Sequence, residues 1–119
     1  MSGVSINVTG DCDLFTLMAA DKVVHWCVTR FELKDITINI TIKRESDWWG
    51  DCGEETEENH YGIMVCLKQS LRDLVATIVH EMIHVTQWEN NEWYETDGEK
   101  ECEDLQYKLT DELWKENVL

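Results

Sequence analysis

From Ile36 to Lys43 the chain alternates without a break, with Ile36, Ile38, Ile40 and Ile42 set against Thr37, Asn39, Thr41 and Lys43. A period of two built on β-branched residues predicts a half-buried strand, one face on a helical layer and the other toward solvent. Val4 to Thr9, closed by Gly10, and the apolar run Tyr61 to Leu67 read as two further strands. Between the first two strands, Leu14, Leu17, Met18, Val24, Cys27, Val28 and Phe31 recur along a helical stripe, with Asp11 or Asp13 in position to cap it. Ser46 to Asn59 carries two glycines, six acids and no base, which predicts a loop or a long hairpin connection. Its adjacent Trp48 and Trp49 are expected to fold back on the sheet; a lid, a substrate platform and a subunit contact are the alternatives.

The stretch Ser70 to Gln87 is different in kind. Leu74, Val75, Ile78, Val79, Met82, Ile83 and Val85 cover nearly every side of one helix, so it should be surrounded by protein, with Ser70 as its N-cap. The helix should run to about Trp88 and give way to a loop with Asp97-Gly98 as its turn. A last helix, Glu99 to Trp114, then directs Cys102, Gln106, Leu109 and Leu113 inward. Taken together, residues 1–119 predict a single α+β domain, a small antiparallel or mixed sheet packed on the central helix and the C-terminal helix.

That central helix carries His80-Glu81-Met82-Ile83-His84. Residues four apart stack on one helical face, so both imidazoles can reach one metal ion, while Glu81 sits one residue round, where it can reach a water on that metal. A carboxylate and two imidazoles in apolar surroundings need partners, and a divalent cation supplies the missing charge. Zinc accepts neutral imidazole nitrogens, and a catalytic zinc keeps one position open. For a third ligand, Glu99, Glu101 and Glu103 compete. Glu101 is expected to point away with Lys108 and Glu112. Glu103 suits a role orienting a ligand histidine, and Glu99 shares the inward stripe with Cys102. The competing explanations are a coincidental motif and, for the acids, a solvated helix N-terminus where negative charge is favourable anyway. His25 reads as an exposed helix residue and His60 as a surface or structural group.

Composition narrows the partners. A formal charge of −15 repels phosphate backbones and no basic stripe offsets it, which argues against nucleic acid; the same acidity serves solubility and favours basic peptides as substrates. No apolar run approaches the ~20 residues of a membrane span. The first residues lack a basic segment followed by an apolar core, and five widely spaced cysteines form no C-x-x-C pair. Free thiols and a cytoplasmic location are therefore expected.

With these residues in view, the chain resembles the gluzincin metallopeptidases, in which H-E-x-x-H on one helix is completed by a glutamate from the next. Glu99-Lys100-Glu101-Cys102-Glu103 looks like their E-x-x-A-D/N or E-x-E-A segment, and His80 to Gln87 is similar to the H-E-(hydrophobic)2-H-V-x-Q run of minigluzincin and phage-type proteins. The resemblance implies a zincin-like fold and one zinc ion per chain, held by His80, His84 and Glu99. It further implies peptide or protein substrates and Glu81 as general base. Glu95 and Glu103 stay open as alternative third ligands, because the connection from His84 to Glu99 is short and Cys102 and Glu103 replace the usual residues. A metal-stabilised interaction factor without turnover is the functional alternative. Tyr94, Tyr107 and His60 are the candidates to steady a developing oxyanion.

Overall fold

The computed structural model describes residues 3–90 and 95–119, the side chains of 95–97 excepted. In chain order the elements are β1 (Val4–Gly10), α1 (Leu14–Arg30), β2 (Ile36–Lys43), β3 (Gly50–Glu54), β4 (His60–Cys66), α2 (Leu71–Glu89) and α3 (Glu95–Lys115). One mixed sheet has the order β1-β2-β4-β3. β1 and β2 run parallel from Val4↔Ile36 to Gly10↔Ile42, which requires a crossover that α1 supplies. β4 lies parallel to β2, and β3 closes the sheet antiparallel to β4, Gly50 opposite Val65.

The alternation in β2 is realised as expected. Ile36, Ile38, Ile40 and Ile42 are buried, whereas Thr41 and Lys43 are exposed. Tyr61, Ile63 and Val65 of β4 extend the same apolar face, and against it pack Val23, Val24 and Cys27 of α1 with Leu74, Ile78 and Met82 of α2. Truncating Ile38 or Ile40 to alanine in such a site costs about 2–5 kcal/mol. Ser70 caps α2, its Oγ accepting from the Asp73 backbone N–H at 3.1 Å, and of the two aspartates offered for α1 it is Asp13 that accepts from Thr16 N–H. α3 runs antiparallel to α2, as the pairings of Asp73 with Tyr107 and of Gln87 with Gly98 require. Cys102, Leu109 and Leu113 are buried along that contact.

Four expectations are corrected. Residues 46–59 do not form a simple connection, because Gly50–Glu54 pairs as the edge strand β3. Acidic, glycine-rich strands carry no hydrophobic alternation, so the pairing is decided by the neighbouring β4 rather than by the segment itself. Asp97-Gly98 is no turn, since α3 already begins at Glu95. Gly98 is there for space: a Cβ at its position would lie 2.8 Å from Gln87 Oε1. The α1 stripe holds only from its middle onward, with Leu14 and Met18 exposed while Ala19, Ala20 and Val23 are buried. Trp48 and Trp49 do not fold back, standing 70% and 62% exposed.

Candidate metal centre

His80 and His84 stand one turn apart on α2 with ring centroids 5.1 Å apart. Their outer nitrogens are engaged by amide oxygens. His80 Nδ1 lies 2.5 Å from Gln106 Oε1 and His84 Nδ1 lies 2.9 Å from Gln87 Oε1. An amide oxygen only accepts, so each Nδ1 carries a proton, and in a neutral ring that leaves the lone pair on Nε2. The Gln87 amide cannot be turned around, because its NH2 donates to Gly98 O at 3.0 Å and to Glu101 Oε1 at 2.9 Å. Glu101 therefore does not point away as expected. Its carboxylate holds the glutamine that orients His84.

The two Nε2 atoms converge on Glu99. Its Oε2 is 3.3 Å from His80 Nε2 and its Oε1 is 2.5 Å from His84 Nε2. A lone pair facing a carboxylate oxygen at such a distance is unfavourable unless a proton or a cation sits between them. Cys102 completes a second set, for the ligand atoms of His80, His84 and Cys102 all lie within 4.8 Å of one another, and these three could hold a metal ion. Yet Cys102 Sγ is 3.6 Å from His84 Nε2 and 3.7 Å from Nδ1, nearly equidistant, so it lies against the ring rather than along the Nε2 lone pair. Burial and the nearby Glu99 and Glu81 carboxylates also push its thiol pKa up, away from the thiolate a metal prefers.

Glu81 is the unusual group. As a residue it is 5% exposed, and since no fully buried side-chain oxygen among the described residues lacks a partner, its carboxylate opens on the space beside it. Burial, then the charges of Asp51 and Glu99, push its pKa up to about 8. A cavity of about 340 Å³ opens beside it, bounded by His80, His84, Glu99 and Trp88 on the helical side and by Asp51 and Cys52 of β3 on the other. β3 is pressed onto α2 here: a Cβ on Gly50 would lie 2.5 Å from Thr77 Cγ2 and 3.2 Å from Glu81 Oε2. Only a glycine lets that backbone approach the carboxylate so closely.

The four residues expected from the sequence, His80, Glu81, His84 and Glu99, are thus brought together. The supporting cast differs. Gln87 and Gln106, not Glu103, orient the histidines, and of these only Gln106 stood on the inward stripe. Cys102, expected as plain core, touches the His84 ring. β4, next to the motif helix in sequence, has no free edge because it lies between β2 and β3; the edge beside the site belongs to β3. Tyr107 donates to Asp73 Oδ1 at 2.7 Å and His60 lies 3.3 Å from Glu57, so neither faces Glu81. Tyr94 lies outside the described residues, as does the side chain of Glu95.

All five cysteines are free, and no helix among the described residues is long and apolar enough to cross a membrane. Comparisons with protein-family models, with curated proteins and with solved structures find no match to this chain.

Proposed function

We propose that this chain is a zinc-dependent metallopeptidase in which His80, His84 and Glu99 hold the metal and Glu81 is the general base. The observation that carries the reading is the Glu81 carboxylate, set at the cavity wall beside two imidazoles whose Nε2 atoms meet one carboxylate. The donor set fits zinc. Two imidazole nitrogens on rings oriented by amide oxygens on their far side, with one carboxylate, are the ligands of an open catalytic site, whereas a purely structural site has no use for Glu81. Glu99 is the better third ligand than Cys102, because its oxygens and not the Cys102 sulfur lie where both Nε2 atoms point.

Held by His80, His84 and Glu99, a zinc ion would supply the charge to acidify a water and polarise a scissile carbonyl. Glu81 would take a proton from the attacking water and return it to the leaving amine. The free edge of β3 can add an extended peptide as a further strand, so that backbone hydrogen bonds hold the substrate across Glu81.

Screening a peptide library with the zinc-loaded protein and with Glu81→Gln tests the reading. Wild type should cut, and Glu81→Gln should lose about 10²–10⁴-fold in rate while keeping its zinc and its thermal transition. A zinc-loaded wild type that cuts nothing, or a Glu81→Gln chain that cuts as well, contradicts it.

A further inference from the structure

The cleft along α2 has two arms that meet at Glu81. The arm beside His84 has been described. The other, about 350 Å³, opens toward Thr77 and is walled by Trp48, Trp49 and Glu103, with His80 and Glu81 at its inner end. From Thr77 to Trp88 the helix spans about 16 Å, enough for about five residues of extended peptide. A substrate lying across Glu81 therefore places a side chain in this second arm.

Its chemistry is specific. Two exposed indoles offer apolar faces, the Glu103 carboxylate offers an anion, and among the described residues no lysine or arginine lines either arm. A purely apolar side chain would cover the indoles but strip water from Glu103 without replacing it. An acidic one would meet Glu103 directly. A long aliphatic stem ending in a cation satisfies both walls, its stem on the indoles and its charge over a ring face or at the carboxylate. We infer that the Trp48–Trp49 arm receives a lysine or arginine side chain of the substrate, next to the peptide group presented to Glu81. The inference rests on the peptidase reading and adds a specificity to it. Trp48, Trp49 and Glu103 are positioning residues in this account, and all three are exposed, so replacing them should not unfold the chain.

The test uses capped pentapeptides identical but for a central arginine, its uncharged isostere citrulline, or glutamate. They are titrated by calorimetry into Glu81→Gln protein supplied with zinc, alone or combined with Glu103→Gln or with Trp48→Ala and Trp49→Ala together. The arginine peptide should bind about tenfold more tightly than the citrulline peptide, and the glutamate peptide most weakly. Glu103→Gln should bring the arginine-to-citrulline ratio toward one, and the double tryptophan variant should weaken both. Equal affinities, no measurable binding of the arginine peptide, or a ratio untouched by Glu103→Gln overturns the inference. Cleavage of the same peptides by wild type is scored apart. Cutting without preference for arginine overturns the arm and leaves hydrolysis standing, whereas arginine-selective binding without cutting overturns hydrolysis and leaves the arm.

Discussion

Glu81 shows how one buried side chain links stability to chemistry. Its pKa, pushed up to about 8 chiefly by burial, lies above that of the same group in an unfolded chain. Between the ordinary carboxylate range and pH 8 the metal-free folded protein therefore keeps a proton that the unfolded chain has lost. By linkage the folded state loses stability as pH rises through that window, and the loss levels off above it. The metal-free Glu81→Gln protein lacks this slope. Urea unfolding of both proteins at pH 5.5 and pH 8.5 should show the variant gaining on wild type by on the order of a few kcal/mol at the higher pH. Equal pH dependence in the two would mean that Glu81 is no more desolvated than a surface acid. The other carboxylates are common to both proteins and cancel in the comparison.

At the scale of elements, the centre depends on how closely α2 and α3 approach. Gly98 is buried, its carbonyl accepts from Gln87 at 3.0 Å, and a Cβ there would reach the Gln87 oxygen that orients His84. Two effects of Gly98→Ala oppose each other. Alanine favours the helix by about 1 kcal/mol, while displacing Gln87 frees the His84 ring and shifts Glu99. Thermal melting of the metal-free variant should therefore stay close to wild type, while its zinc affinity, measured by competition with a chelator, falls about tenfold or more. Unchanged affinity would show that the glutamine clamp does not matter. Such packing explains what the sequence makes legible. The alternation of Ile36 to Lys43 and the all-round apolar helix around His80 and His84 reveal their elements because each follows from burial along one segment. β3 was hidden because an acidic strand with two glycines is set by its partner β4. Gly98 misled because the same residue serves turns and tight helix contacts, and only the opposite helix decides which.

For the whole molecule, the residues of the proposed site come from three elements that the chain reaches late. α2 supplies His80, Glu81, His84 and Gln87, α3 supplies Glu99 and Gln106, and β3 supplies the free edge. β1, α1 and β2 lie on the far side of the sheet order and serve to hold β4 and α2 in place. The site motif was legible in the sequence since its spacing is local to one helix. Its third partner was legible only through the stripe of the next helix, and the clamp of amides was not, because Gln87 reaches Glu101 across a helix pair. A charge of −15 around the proposed metal centre would favour uptake of a dication from solution.

The most direct measurement is the zinc content of protein purified without added metal, for wild type, Glu99→Ala and Cys102→Ala in parallel. The account predicts about one zinc per chain in wild type and in Cys102→Ala, and a strong loss in Glu99→Ala. No zinc in wild type, even after titration, or retention in Glu99→Ala with loss in Cys102→Ala, would contradict it.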